Sequence, residues 1–154
     1  MPNDTLSSVP QRIVLLVGLP ASGKSTYLER VGATPLSSDG VRQLLADDAT
    51  DQTIHGRVFN TIRYLLRQRL AIGRPVTYID ATHLTVEERA PYVKISQSYG
   101  CDLEAVFFNV PLDVCLKRNG ARARVVPEDA MRAMAAKLVP PAVEEGFSRV
   151  TVVR

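Results

Sequence analysis

Residues 12–17 spell Arg-Ile-Val-Leu-Leu-Val, and the next eight spell Gly-Leu-Pro-Ala-Ser-Gly-Lys-Ser. A continuous apolar run closed by a glycine is the pattern of a strand buried on both faces, as in the parallel sheets of α/β proteins. The glycine-rich stretch has the spacing G-x-x-x-x-G-K-[ST] from Gly18 to Ser25, and a helix is expected from about Gly23 to Val31. Strand, loop and helix in that order leave little freedom in fold class.

The remainder continues the alternation. A short second strand is expected over 34–37, followed by a helix over 40–46 that Ser38 or Asp39 can cap. After an acidic loop, apolar residues at Ile54, Val58, Ile62, Leu65, Leu66 and Leu70 have helical spacing that ends before Gly73. A third strand over 75–80 carries Asp80 at its end. Thr85-x-x-Glu88 has the form of a capping box opening a helix to Tyr99, with Pro91 predicting a kink or a later start. A fourth strand over 103–110, helices over 111–119 and from Pro127, and a fifth strand over 147–153 complete the pattern. Strands alternating with helices imply a parallel sheet covered on both faces.

The length, 154 residues, is that of one domain. The expected organisation is a polar leader, 1–11, and a single domain, 12–154. With 45% apolar and 23% charged residues, the composition excludes disordered, collagen-like and coiled-coil chains. Two cysteines give no disulfide framework or zinc spacing. The polar start shows no signal peptide, and 13–17 is far too short to span a membrane, so the expectation is a cytoplasmic protein. The net charge is only +3, yet fifteen of the nineteen basic residues are Arg, the side chain suited to bidentate grips on phosphate.

The glycine loop predicts the donor chemistry. Gly18, Ala21, Ser22 and Gly23 are small enough for backbone N–H groups to turn toward a phosphate, and the helix opening at Lys24, Ser25 and Thr26 adds its dipole. Lys24 is placed to reach the β- and γ-phosphates of ATP or another nucleoside triphosphate, and the Ser25 hydroxyl to ligate Mg²⁺. Asp80, at a strand end, either holds a magnesium-bound water or merely caps the following turn.

The acceptor side is less determined. Asp39 and Arg42, three apart, share a helix face at the same sheet edge as the loop. They are either a carboxylate that orients an attacking hydroxyl beside an anion-holding guanidinium, or a cap with its helical neighbour. Arg118, Arg122 and Arg124 straddle the loop before the last helix, as a phosphate-covering lid around 118–138 or a solvated basic loop. Arg63 and Arg67 are a solvated face or a nucleic-acid track. His55 and His83 have no ligand cluster around them, and Cys115, Met131 and Met134 are packing residues.

The strings Gly18-Leu-Pro-Ala-Ser-Gly-Lys-Ser-Thr26, Ser38-Asp39-x-x-Arg42, Asp80-Ala-Thr and Asn109-Val-Pro with Lys117-Arg-Asn119 and Arg122 resemble the 5′-hydroxyl polynucleotide kinases. Ser37-Ser-Asp-Gly-Val-Arg42 with Asp47-Asp-x-x-Asp-Gln-Thr53 is similar to the kinase domain of bacterial polynucleotide kinase–phosphatases. The resemblance implies a P-loop kinase fold with sheet order 2-3-1-4-5, ATP and Mg²⁺ as cofactors, and RNA or DNA 5′-hydroxyl ends as partners. It implies catalytic roles for Lys24, Asp39 as general base, Arg42 and Arg122. Arg118 and Arg122 would lie over the donor nucleotide, and Gln52 would contact the acceptor. His83 and Arg124 depart from the family pattern. A small-molecule kinase, similar to chloramphenicol phosphotransferase or zeta toxin, is the alternative on this scaffold, and a nucleotide-binding switch without transfer is the third.

Overall fold

The apolar run forms the central strand β1 (Arg12–Val17), with alternate residues facing opposite sides. The structure is a computed structural model and describes residues 10–154. Most of the expected polar leader therefore lies outside the described residues. Its last residue, Gln11, is tied into the domain, donating from Nε2 to the carbonyls of Leu70 and Arg74 at 3.1 and 2.9 Å.

After β1 come α1 (Lys24–Val31), β2 (Leu36–Ser37), α2 (Ser38–Ala46), α3 (His55–Ala71) and β3 (Val76–Asp80). Then follow α4 (Val86–Tyr99), β4 (Asp102–Phe108), α5 (Leu112–Gly120), α6 (Glu128–Lys137) and β5 (Arg149–Val153). The five strands pair in parallel in the order β2-β3-β1-β4-β5, the order expected of a P-loop kinase.

Ile13, Leu15 and Val17 face a core made with Val58, Ile62, Leu66 and Leu70 of α3 and Tyr92 and Ile95 of α4. Val14 and Leu16 face the other side, where α1 brings Leu28 and Tyr27 against Val106 and Phe108. Each fully buried aliphatic side chain contributes about 2 kcal/mol. A third cluster, Leu19, Leu84, Cys115 and Met131, fastens the glycine loop to α5 and α6. No helix among the described residues is long and apolar enough to cross a membrane.

Four local expectations are corrected. The second strand begins at Leu36, not at residue 34. Ser37 caps α2, its hydroxyl accepting the Gly40 N–H at 3.2 Å, which puts Ser38 and Asp39 inside the first turn. The capping box at α4 is shifted: Thr85 accepts from the Glu88 N–H, but the Glu88 carboxylate accepts from Leu84 N–H, one residue earlier than the box requires. Finally, α4 starts at Val86 and runs through Pro91. Its first turns are fixed by the Thr85 cap and by Arg89, whose buried guanidinium donates to the His83 and Val139 carbonyls and pairs with both Glu145 oxygens.

Candidate active site

Strand register brings the chemistry to one edge. Asp80 lies level with Leu16 of β1 on one side and Ser37 of β2 on the other. The glycine loop, Asp80 and the first turn of α2 therefore emerge side by side from the C-terminal ends of three adjacent strands, where open α/β sheets bind ligands. They line one cleft of about 1780 Å³.

The loop geometry explains its glycines. A Cβ on Gly18 would lie 2.8 Å from Ser22 Oγ and 3.0 Å from Phe108 Cβ, so no larger residue enters there. Gly23 has φ 108°, in the region that side chains avoid, and Ala21 also adopts a positive φ of 64°. Lys24 lies half-buried across the loop, its Nζ donating to the Gly18 and Leu19 carbonyls at 2.7 and 2.9 Å. Burial lowers the Lys24 pKa from 10.5 to about 8, against the opposing pull of Asp80. Burial likewise raises the Asp80 pKa, and the Lys24 ammonium counters it. The hydroxyl-bearing Ser25 and Thr26 are exposed in the cleft.

Facing the loop, Asp39 is about half exposed and sits between two guanidinium groups. Arg42 Nη1 is 3.5 Å from Oδ1, and Arg124 Nη1 is 2.8 Å from Oδ2. Arg42 is buried, and its Nε has no hydrogen-bond partner; neither has the buried Nη1 of Arg122. Unpartnered buried guanidinium donors are costly, and an anion in the cleft would satisfy them. Arg118 and Gln52 also line the cleft, both exposed.

The expected site residues, Gly18 excepted, thus line a single cleft. Arg124, expected with Arg118 and Arg122 as part of a phosphate-covering lid or a solvated basic loop, reaches Asp39 instead. One contributor was missed. Asn119, on the last turn of α5, donates from Nδ2 to the Val126 carbonyl at 2.7 Å and accepts the Val126 N–H at 3.0 Å. That clasp closes the loop carrying Arg122 and Arg124. A buried amide seven residues before a backbone partner leaves no periodic signal. His83 is also buried, with φ 48° and Nδ1 2.6 Å from the Leu16 carbonyl. The carbonyl can only accept, so Nδ1 carries the proton.

The donor set suits a triphosphate with Mg²⁺. The two orphaned guanidinium nitrogens and the small-residue loop fit the phosphates. Among the described residues there is no cluster of three or more His, Cys, Asp or Glu side chains. Ser25 and Asp80 suit a Mg²⁺ that keeps waters and phosphate oxygens as its other ligands.

Comparisons agree with this architecture. The "Bifunctional polynucleotide phosphatase/kinase" of Schizosaccharomyces pombe is 26% identical over 145 residues, covering 91% of this chain and 33% of its own length. The "Transcription factor bHLH140" of Arabidopsis thaliana is 27% identical over 151 residues, covering 91% of the chain and 16% of its own length. The chain therefore spans a third or less of these curated relatives.

A chain of the Pnkp1/Rnl/Hen1 RNA repair complex superposes with TM-score 0.70 at 22% identity, over 83% of this chain and 44% of that one. A gluconokinase from Sinorhizobium meliloti does so with TM-score 0.60 at 20% identity, over 94% and 82%. These likenesses share the fold. The family profile described as "AAA domain" matches residues 13–141, from β1 past the end of α6. With the glycine loop, the strands β1 to β4 and the helix α6 inside that span, the chain belongs to the AAA_33 family of P-loop kinase domains.

Proposed function

We infer that the protein is a polynucleotide 5′-hydroxyl kinase that transfers the γ-phosphate of ATP to a 5′-hydroxyl end of RNA or DNA. The observation that carries the reading is the acceptor wall: Asp39 paired with Arg42 and Arg124, in a cleft that also holds the buried, unpartnered donors of Arg42 and Arg122. The cleft is larger than a nucleotide alone requires, leaving room for a second extended substrate. The similarity to a relative named as a polynucleotide phosphatase/kinase supports the same acceptor class.

The roles follow from position. Gly18, Ala21, Ser22, Gly23 and Thr26 frame the phosphates, and Lys24 orients the β- and γ-groups. Ser25, and Asp80 through water, would hold Mg²⁺, which would neutralise phosphate charge when bound. Asp39 accepts the hydrogen bond of the 5′-hydroxyl and takes its proton as the new P–O bond forms. Arg42 and Arg122 hold the equatorial oxygens of the phosphoryl group while the bond to ADP breaks, and Arg118 covers the donor nucleotide. Gln52 contacts the acceptor. Transfer of this kind depends chiefly on positioning and charge. The reading carries with it end healing in nucleic-acid repair as the biological role and the cytoplasm as the proposed location.

The test is transfer of labelled γ-phosphate to short 5′-hydroxyl RNA and DNA oligonucleotides, with Asp39→Ala and 5′-phosphorylated oligonucleotides as controls. Label on the 5′ end that both controls abolish is the expected result. ATP binding without label transfer would remove the polynucleotide reading. The gluconokinase likeness would then direct the search to small hydroxylated acceptors, the second reading. Slow hydrolysis indifferent to every acceptor would leave only a nucleotide switch.

A further inference from the structure

The helices α3 and α4 lie on the same face of the sheet, and each begins at the C-terminal strand edge that forms the cleft. Their first turns line it: His55 and Phe59 from α3, Leu84 and Glu88 from the start of α4. One to two turns further along both helices there is a second, smaller cleft of about 200 Å³. Arg63 and Arg67 of α3 and Lys94 and Tyr99 of α4 line it. The two clefts are therefore successive stations of one interhelical groove.

The order of side chains along that groove has a chemical sense. His55, Phe59, Arg63 and Arg67 are spaced by four, so they form one slowly winding stripe beside the buried positions 58, 62, 66 and 70. The His55 and Phe59 rings are in contact, with centroids 4.8 Å apart, at the mouth of the active cleft. Next come the cations. Arg63 is half-buried and donates to Asn60 Oδ1 at 2.6 Å, while Arg67 and Lys94 are exposed. None of the three takes part in an ion pair among the described residues. Glu88, which lines the groove entrance, is turned onto the Leu84 N–H. An aromatic step followed by unpaired cations is how proteins hold single-stranded nucleic acid without reading its sequence.

We propose that the groove between α3 and α4 is the exit track of a single-stranded acceptor, with a base stacked on His55–Phe59 and the following phosphates held by Arg63, Arg67 and Lys94. This rests on the polynucleotide reading of the active site and adds to it a preference for length. From His55 to Arg67 the stripe rises about 18 Å, several nucleotides of extended strand. A dinucleotide ends on the aromatic step, whereas a decamer covers the cations.

The test compares 5′-hydroxyl dinucleotide and decamer acceptors, as oligouridylate and oligothymidylate, with wild-type protein and with R63A/R67A/K94A. Wild-type KM for the decamer is expected about tenfold below that for the dinucleotide. The logarithmic salt dependence of the decamer KM should be steeper by about two units, since each neutralised phosphate of a single strand contributes about 0.7. The triple variant should lose both features on the decamer and leave dinucleotide transfer as it was. R63K/R67K, which keeps the charges, should retain most of the decamer advantage. Equal KM for the two lengths in the wild type, or a decamer indifferent to the triple substitution, overturns the track.

If the wild type transfers phosphate to neither acceptor, the polynucleotide reading has failed separately, and equilibrium binding of a fluorescent decamer decides the groove. Binding weakened about tenfold in the triple variant sustains it. No binding, or binding unaffected by the substitutions, overturns it.

Discussion

One wall of the cleft is made by consecutive residues, Pro20 to Thr26, and the opposite wall by side chains from α2, the turn before α3 and the loop between α5 and α6. The donor wall is backbone geometry: a strand buried on both faces aims the loop, two glycines permit its path, and Lys24 bonds to the loop's own carbonyls. The acceptor wall is charge held across a gap: Asp39 meets Arg42 from its own helix and Arg124 from the lid loop. Local construction makes the first wall rigid and shared among many phosphotransferases. Remote construction builds the second from separate elements, and the proposed function assigns acceptor choice to it.

The largest effect should come where the two walls are joined. Arg89 is buried and clasps Glu145 in a bidentate pair while its Nη1 ties the His83 carbonyl, behind the donor wall, to the Val139 carbonyl just past the lid helix. Arg89→Ala leaves the Glu145 carboxylate without its partner and should lower stability by about 4 kcal/mol, within the range for breaking a buried pair. Urea unfolding measures it. A loss below about 1 kcal/mol would mean that the walls are joined elsewhere.

Next in size, Lys24→Ala should reduce kcat by roughly 10²–10³, about 3–4 kcal/mol of transition-state stabilisation. Its effect on stability should be small, because the loop path is set by Gly18 and Gly23. A third, smaller effect tests the support beneath the donor wall through pH. Burial lowers the His83 pKa from 6.5 to about 4. The unfolded chain therefore binds the proton first, and stability falls as pH drops from about 6.5 to about 4, then levels off. The loss should approach about 3 kcal/mol. His83→Asn, which cannot take that proton, should flatten this part of the urea-midpoint profile.

The same contrast explains what could be read from the residues alone. The donor wall was legible because its signal is contiguous: the apolar run, the glycine spacing and the Lys-Ser pair all concern neighbours. The parallel α/β class followed from alternation, but the strand order came only through the family resemblance, since periodicity carries no information about which strands are adjacent. At α2, Ser37, Ser38 and Asp39 are all capping residue types, and only the backbone path shows that Ser37 does it. Arg124 and Asn119 act through partners fixed by the lid loop's course, which the sequence does not display. Arg89 was hidden for another reason: it is a charged residue in a position that burial claims, so an apolar pattern cannot find it.

The smallest effect bears most directly on how the acceptor wall works. Asp39 has two carboxylate oxygens, and the lid holds one of them more tightly: Arg124 is 2.8 Å from Oδ2, Arg42 3.5 Å from Oδ1. Under the proposed mechanism an incoming hydroxyl would displace the weaker contact, so that Oδ1 would receive the proton while Arg124 keeps the carboxylate oriented. Asp39 is exposed and Arg124 partly so, and such surface pairs add well under 1 kcal/mol to stability. Arg124→Ala should leave the unfolding midpoint within about 0.5 kcal/mol of the wild type. It should lower kcat about tenfold, or about 1.4 kcal/mol, with little change in acceptor KM. Arg124→Lys, with a single point-charge contact, should recover part of that loss. A rise in kcat/KM on removing Arg124 would reverse the assignment: the lid arginine would then be blocking Asp39 until an acceptor displaces it, and the two walls would be coupled by competition instead of support.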